Sequence, residues 1–192
     1  MIRRRLYYDL YDRGAIMRRV WIIGLVLTAL CLAGCDASAL LDDSAGGDSG
    51  DVSFPAGSEV GLVVRVIDGD TIDVDLGDDV YRVRYVGANT PERDESCYAE
   101  AVRANKNLVE GQEVTLVVDR SDTDRYDRLL RYVYVGGTLV NEQMIRDGWA
   151  EVVLYEPDDG HYDSFVQLER EATRANRGCH PSGIFDDGSE RR

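Results

Sequence analysis

From about residue 60 onwards, apolar and polar positions follow the pattern of a small β-rich domain. Runs of apolar and β-branched residues separated by turn residues predict five strands, at 60–67, 71–75, 80–86, 112–118 and 129–135. The turns between the first three strands contain Asp-Gly or Gly-Asp pairs, which are typical of tight hairpins. We therefore expect the first three strands to form an antiparallel meander.

Later segments have the apolar spacing of amphipathic helices. The pattern predicts a helix with Ser96 as N-cap that runs to about residue 110, a short helix at 141–147 and a longer one at about 162–176. Three strands, a helix, two strands and further helices is the order of an oligonucleotide-binding (OB) barrel with helical additions. The predicted fold class is α+β, a five-stranded OB-fold β-barrel with about three helices over residues 59–185.

The N-terminal segment has the features of an export signal. An apolar run at 20–34 follows Arg18 and Arg19 and is shorter than the ~20 residues of a comfortable bilayer span. A basic start, a short apolar stretch and small residues at its end predict a signal peptide over 1–34, with Met17 as a possible true start. A transmembrane anchor is the alternative. The paired arginines also leave open twin-arginine rather than Sec export.

The signal ends in Leu-Ala-Gly-Cys at 32–35, which resembles the lipobox of bacterial and archaeal lipoproteins. That resemblance implies that Cys35 receives a lipid and becomes the mature N-terminus, whereas an ordinary signal peptide with a chance cysteine is the alternative. Residues 35–58 are rich in Asp, Gly and Ser and predict a flexible acidic tether, and 186–192 form a polar tail. We expect an exported protein, lipid-anchored at the outer face of the cytoplasmic membrane or secreted.

Composition and charge narrow the function classes. Hydrophobic residues make up 44% of the 192, enough for a packed core. The chain carries 22 basic and 36 acidic residues, a formal charge of −14, which argues against a basic protein that coats nucleic acid. The acids are scattered and Lys106 is the single lysine of the sequence. Either an acidic binding face or a surface adapted to high salt accounts for this excess.

The four cysteines show no Cys-x-x-Cys pair, so a zinc ribbon has no support. If Cys31 leaves with the signal and Cys35 carries lipid, Cys97 and Cys179 remain in the exported part, where oxidation is permitted. We predict that these two form a disulfide. Two buried free thiols are the alternative.

Residues suited to phosphodiester chemistry lie near the ends of the predicted strands. Asp70 follows a glycine turn, and Asn89 lies at the end of the third strand with Glu92 three residues later. Oxygen ligands of this kind suit calcium or magnesium, and a glutamate can take a proton from water. Arg84 and Arg128 are candidates to clamp one phosphate, because a guanidinium matches phosphate oxygens. The alternatives are a cross-strand ion pair with Asp73 or Asp75 for Arg84 and a solvated loop position for Arg128.

Several segments in a fixed order resemble the staphylococcal nuclease (thermonuclease) family. These are Val-Ile-Asp-Gly-Asp-Thr at 66–71, Arg84, Asn-Thr-Pro-Glu at 89–92, Thr-Asp-Arg-Tyr-Asp-Arg at 123–128, Asp-Gly-Trp-Ala at 147–150 and Tyr-Glu-Pro at 155–157. The resemblance covers about residues 60–180. It implies a calcium-dependent nuclease that cleaves DNA and RNA with little sequence preference and leaves 3′-phosphate ends.

The resemblance also implies a role for each matching side chain. Calcium would be held by Asp70, Asn89 and the carbonyl of Thr90. Glu92 would be the general base and would contact the metal through water. The remaining residues would contact the nucleic acid: Arg84 and Arg128 would stabilise charge on the pentacoordinate phosphorus, and Tyr126 and Tyr155 would line the nucleotide pocket.

Three positions depart from the family pattern. Asn89 stands where the family has a second metal-binding aspartate, so the site loses one negative charge. Asp127 stands where glycine is usual and would place a carboxylate close to Arg128. Val153 stands where a second pocket tyrosine is expected, which would weaken stacking on the nucleotide.

A non-catalytic nucleic-acid or protein-binding module on the same fold is the alternative function, and a surface adhesion or structural lipoprotein is a third. Loss of Glu92 or of either arginine would favour a binding module, and all three are present. We infer DNA and RNA as substrates, Ca²⁺ as cofactor, the membrane as a partner through Cys35, no protein partner and a monomer.

Overall fold

The computed structural model describes residues 52–186. The predicted signal peptide, Cys35, most of the tether and nearly all of the polar tail lie outside the described residues. Within that range the elements, in chain order, are β1 (Glu59–Val66), β2 (Thr71–Asp75), β3 (Val80–Tyr85), β4 (Ala88–Asn89), α1 (Tyr98–Val109), β5 (Glu113–Val117), β6 (Leu129–Val135), β7 (Thr138–Leu139), α2 (Val140–Arg146), β8 (Glu151–Val152) and α3 (Tyr162–Arg174), followed by a 3₁₀ turn at His180–Ser182.

The five long strands close into a barrel. Their order is β3-β2-β1-β5-β6, with antiparallel neighbours, and a parallel pairing of β3 with β6 closes the circle. Outside the barrel, β4 and β8 form a separate two-stranded sheet. The predicted α+β OB barrel with three helices is confirmed, and each long strand lies within one residue of its predicted bounds.

Alternation along the strands builds the core. The inward positions of the barrel strands are almost completely buried, as in Ile72, Val74, Val83, Leu116 and Val133. Outward positions of β1, such as Val60 and Leu62, are about half exposed. Alternation of apolar and polar residues, as in Thr71–Asp75, is one of the signals that make the strands recognisable in the sequence.

The helices begin and end close to their predicted positions, with one correction. Helix α1 begins at Tyr98 and its N-cap is Cys97, whose φ of 70° is left-handed, so the predicted N-cap Ser96 is wrong. On α2, the side chain of Asn141 accepts from the backbone N–H of Val133 at 2.9 Å, which ties this helix to the barrel wall. Among the helices of residues 52–186, none has the length and apolar character to span a bilayer.

A disulfide joins Cys97 to Cys179 across a sequence separation of 82 residues, as predicted. It links the start of α1 to the 3₁₀ turn at the end of the domain. The backbone N–H of Cys179 also donates to the carbonyl of Gly148 at 2.8 Å. The C-terminal segment is therefore fixed both covalently and by hydrogen bonding.

We expect a Cys97→Ser/Cys179→Ser variant to lose about 2–4 kcal/mol of unfolding free energy, because a long closed loop restricts the unfolded chain. Urea unfolding of the oxidised protein and of the variant measures this difference. Thiol titration of the denatured, unreduced protein is the control. Two reactive thiols in that titration, or equal stability of the two proteins, would contradict the prediction.

Candidate active site

A cleft of about 660 Å³ opens at the mouth of the barrel. It is bounded by the ends of β2 and β3 and by the loops that precede β6 and follow β8. Seven of the predicted site residues line it: Asp70, Arg84, Asn89, Glu92, Tyr126, Arg128 and Tyr155. The eighth, Thr90, is buried beside the cleft and contacts Asp70. Residues from four separate chain segments thus meet in one place.

Asp70 is the buried acceptor at the centre of the cleft. Its Oδ1 lies 3.0 Å from Nε of Arg84, and its Oδ2 accepts from the backbone N–H and the hydroxyl of Thr90 at 2.8 and 2.9 Å. A Cβ added to Gly69 would lie 2.6 Å from Thr90 Oγ1, so this turn requires glycine to approach Thr90. The partner of Arg84 is therefore Asp70 rather than Asp73 or Asp75.

Arg84 is buried and held at several of its nitrogen atoms. Its Nη1 donates to the carbonyls of Tyr85 and Ala88 at 2.7 and 2.5 Å, and Nη2 donates to Oδ1 of Asn89 at 3.2 Å. The carbonyl of Ala88 lies within reach because the chain turns at Gly87, where φ is +76°. These contacts fix the guanidinium in one orientation at the cleft wall.

A carboxylate that the sequence did not single out contacts Asn89. In the β4–β8 sheet Asn89 is paired with Glu151, and its Nδ2 donates to Oε1 of Glu151 at 2.7 Å. Both side chains are almost completely buried. Because the amide nitrogen faces Glu151, the amide oxygen faces Arg84. An amide at position 89 can serve both neighbours at once, whereas a carboxylate would face another carboxylate.

A second acidic residue, Asp68, lines the cleft beside Asp70. Its burial and the negative charge of Asp70 raise the pKa of the Asp68 carboxyl to about 6. The side chain of Asn105 holds this turn by donating to the carbonyl of Asp68 at 2.9 Å. In the sequence, Asp68 is marked only as part of an Asp-Gly turn.

The donor chemistry of the cleft suits a hard divalent cation. Asp68 and Asp70 provide carboxylate oxygens, and Asn89 and Thr90 add uncharged oxygens close by, which are the ligand types of calcium. A cation would also relieve the repulsion that raises the pKa of Asp68. Across residues 52–186, no three or more His, Cys, Asp or Glu side chains are grouped as a complete metal site. Uncharged donors would therefore have to complete the coordination.

Arg128, the second arginine of the cleft, is positioned by the loop that carries it. Asp124 accepts from Nε of Arg128 at 2.7 Å and from the backbone N–H groups of Tyr126 and Arg128. Burial raises the pKa of the Asp124 carboxyl, but these hydrogen bonds outweigh burial and hold the pKa below its ordinary value. The carboxylate that contacts Arg128 is therefore that of Asp124. We had expected Asp127 to make this contact. Asp127 instead adopts the left-handed φ of 59° at which glycine is favoured.

The two pocket tyrosines lie on loops that are tied together. Asp158 accepts from the backbone N–H groups of Arg120 and Ser121 at 2.9 and 2.8 Å, which joins the loop before β6 to the loop of Tyr155. Tyr126 is 63% exposed at the cleft edge. Val153 is buried in the domain and does not line the cleft.

Glu92 lines the outer part of the cleft and is exposed. Its backbone N–H donates to the side chain of Glu95 at 2.6 Å, which shapes the loop between β4 and α1. The general-base candidate thus faces solvent, whereas Arg84 and Asp70 lie in the interior. A water molecule can reach Glu92 without any rearrangement of the barrel.

The barrel and its polar mouth define the class of protein. Two guanidinium groups, one buried and one partly exposed, face a common space with carboxylates, which suits an OB-fold protein that binds phosphate esters. A model of the family described as "Staphylococcal nuclease homologue" matches residues 82–179, about half of the chain. The chain belongs to this family. Asp68 and the predicted Asp70 precede the matched range, and the remaining predicted cleft residues lie within it.

Similar curated proteins carry nuclease names. The "SPbeta prophage-derived endonuclease YokF" and the "Endonuclease YncB" of Bacillus subtilis are each 42% identical over 116 residues, which is 56% of this chain. The chain spans only 39% and 55% of the lengths of these two relatives. The "Thermonuclease" of Staphylococcus hyicus is 32% identical over 121 residues, 60% of this chain and 72% of that protein.

We expect Asn89→Asp to destabilise the fold by about 1–3 kcal/mol, because it sets a carboxylate against the buried Glu151. Glu151→Gln in the same chain should restore most of the loss, because an amide at 151 can donate to Asp at 89. Urea unfolding at neutral pH of the wild type, both single variants and the double variant measures the coupling. If Asn89→Asp alone has the unfolding free energy of the wild type, the Asn89–Glu151 contact does not contribute to stability.

Proposed function

We propose that this domain is a calcium-dependent nuclease that hydrolyses phosphodiester bonds of DNA and RNA with little sequence preference and leaves 3′-phosphate ends. The observation that carries the proposal is the convergence of Asp70, Arg84, Glu92 and Arg128 on one cleft. Family membership and the nuclease names of the relatives support it. A purely binding module is not favoured, because the cleft retains the candidate base together with both arginines.

The arginines would act on the phosphate. Arg84 is already oriented by its contacts to Asp70 and to backbone carbonyls, so little entropy is lost when it binds an anion. Arg128 approaches from the loop before β6. Two guanidiniums on one phosphate stabilise most strongly the extra negative charge that develops as the phosphorus becomes pentacoordinate. Their effect should therefore fall mainly on turnover.

The proton transfers follow from the proposed product. Glu92 would accept a proton from water as the water oxygen bonds to phosphorus. The bond from phosphorus to the 5′-oxygen breaks, that oxygen takes up a proton from solvent in place of the one passed to Glu92, and the phosphate stays on the 3′ side. Tyr126 and Tyr155 would contact the sugar and base on either side of the cleft.

Calcium would be held by Asp70, the amide oxygen of Asn89 and the carbonyl of Thr90, with Asp68 adding negative charge nearby. When bound, it supplies positive charge that favours both an anionic phosphate and a more acidic water. Because Asn89 is uncharged, we expect weak calcium binding, roughly in the millimolar class of extracellular sites.

The proposal extends to location. An export signal over 1–34 and a lipid on Cys35 would place the domain on the outer face of the cytoplasmic membrane, with release into the medium as the alternative. The disulfide between Cys97 and Cys179 supports export, because such bonds persist in oxidising compartments. The substrates there would be extracellular DNA and RNA, and the domain would act as a monomer.

The nuclease proposal is tested by cleavage of plasmid DNA and of RNA with calcium and with chelator, at low and high salt. We expect cleavage with calcium only. Arg84→Ala and Arg128→Ala should each lower kcat by at least about 100-fold, with a smaller change in KM. Thermal unfolding of the variants controls for folding. Substrate binding without any cleavage would favour the binding module instead, and full activity in chelator would refute the metal requirement.

The anchoring proposal is tested by Cys35→Ser in the natural host. We expect the parent protein in the membrane fraction and the variant either in the medium or unprocessed, since a serine cannot receive the thioether-linked lipid. Cys31→Ser, four residues earlier in the predicted signal, is the matched control. Identical fractionation of the parent and Cys35→Ser would show that Cys35 is not the anchor.

A further inference from the structure

A second groove adjoins the catalytic cleft on the outer wall of the barrel. It encloses about 430 Å³, and its lining consists of Arg65, Asp73, Val80, Arg82, Tyr126 and Arg128. Tyr126 and Arg128 also line the catalytic cleft, so the two cavities are contiguous at these residues. None of the family motifs singled out in the sequence includes Arg65, Asp73 or Arg82.

The floor of the groove is a cross-strand row of charges. Arg65 on β1 pairs in register with Asp73 on β2, and Asp73 pairs in register with Arg82 on β3. Asp73 Oδ2 accepts from Nε and Nη2 of Arg65 at 2.8 and 2.5 Å, and its Oδ1 accepts from Nε of Arg82 at 2.9 Å. The carboxylate is largely buried between the two guanidiniums.

This row carries surplus positive charge. Burial raises the pKa of the Asp73 carboxyl, but the hydrogen bonds from Arg82 and Arg65 outweigh burial and hold the pKa below its ordinary value. Asp73 therefore stays ionised. One negative charge then faces two positive charges. The Arg65 and Arg82 side chains are 63% and 46% exposed. In a chain with a formal charge of −14, a groove with a positive surplus beside the active site is suited to an anion.

An exposed aromatic ring stands where the groove meets the cleft. The guanidinium carbons of Arg125 and Arg128 lie 4.7 and 5.5 Å from the centroid of the Tyr126 ring. An exposed ring flanked by cations is a platform on which an unpaired base can stack, while the backbone phosphates bind nearby arginines. Bases within a duplex are already stacked on each other, so this platform favours single-stranded nucleic acid.

We propose that the groove of Arg65, Asp73 and Arg82 binds the single-stranded nucleic acid that continues beyond the scissile bond. Its phosphates would contact Arg65 and Arg82, with Asp73 as the positioning residue that holds both side chains across the strands. A base would stack at Tyr126 where the strand leaves the cleft. The inference rests on the proposed nuclease function and extends it from the reacting phosphate to the length of strand that is recognised.

The test compares long and short nucleic acid. Arg65→Gln and Arg82→Gln are made singly, so that Asp73 keeps one arginine partner and the fold is preserved. Arg174→Gln is the matched control, since Arg174 is an exposed arginine of α3 that lines neither cavity. Binding is measured with phosphorothioate oligothymidine of about 12 nucleotides and with the corresponding dinucleotide.

We expect each groove variant to bind the longer strand about three- to tenfold more weakly and the dinucleotide within twofold of the parent. The slope of log affinity against log salt for the longer strand should fall by ~0.7 for each arginine removed. Arg174→Gln should change neither value. Unfolding temperatures of all variants confirm that they are folded.

Other outcomes overturn the inference in distinguishable ways. Equal losses on both lengths would place Arg65 and Arg82 in the recognition of the cleaved nucleotide itself. No loss on either length would make the row a set of surface ion pairs, and an equal loss with Arg174→Gln would indicate a general charge effect. A parent protein that binds neither length and does not cleave plasmid DNA refutes the proposed nuclease function. A parent that cleaves plasmid DNA, with groove variants that bind both lengths as the parent does, refutes only the groove.

Discussion

The buried contact between Asp70 and Arg84 organises the mouth of the barrel. Removing one partner of such a pair leaves an uncompensated charge in the interior, which costs about 3–5 kcal/mol. The structure offsets the desolvation of both groups by giving each further partners: Thr90 donates twice to Asp70, and Arg84 donates to two backbone carbonyls. The start of β2, the end of β3 and the β4 segment are therefore held together by one set of hydrogen bonds.

A contrasting arrangement governs the outer wall. Asp73 also lies between guanidiniums, but Arg65 and Arg82 keep much of their surface in water. Ion pairs with partly exposed arginines contribute less to stability than the buried Asp70–Arg84 contact, and the exposed guanidinium surface leaves donors that an anion can bind. All of these positive groups are arginines. A planar guanidinium can contact a carboxylate along one edge and still present donors to a phosphate.

Short polar contacts join the loops that carry the remaining cleft residues. Asp124 closes the turn that presents Tyr126 and Arg128, and Asp158 joins this loop to the one that carries Tyr155. Site residues on loops of this kind keep their positions because the barrel beneath them is rigid. The turn tolerates Asp127 at a left-handed φ because its side chain is exposed and aspartate is one of the few residues besides glycine that adopt this conformation readily.

The sequence by itself determined the five barrel strands, the helices to within a few residues and seven of the residues that line the cleft. These features follow from local signals: runs of apolar and β-branched residues, Asp-Gly turns, and short segments whose order resembles a known family. The start of α1 lies one residue later than predicted because Cys97, which has a left-handed φ and forms the disulfide, takes the N-cap position that the local pattern assigns to Ser96.

Only the tertiary structure decided which charges meet. Asn89 and Glu151 are 62 residues apart and come together because β4 pairs with β8. The apolar periodicity of the sequence does not predict this pairing of two short strands. In the same way Arg84 pairs with Asp70 rather than with Asp73 or Asp75, and Asp124 rather than Asp127 contacts Arg128. Local patterns record which face of an element is buried, whereas the partner of a buried polar group depends on how distant elements are brought together and on which contacts offset its loss of water.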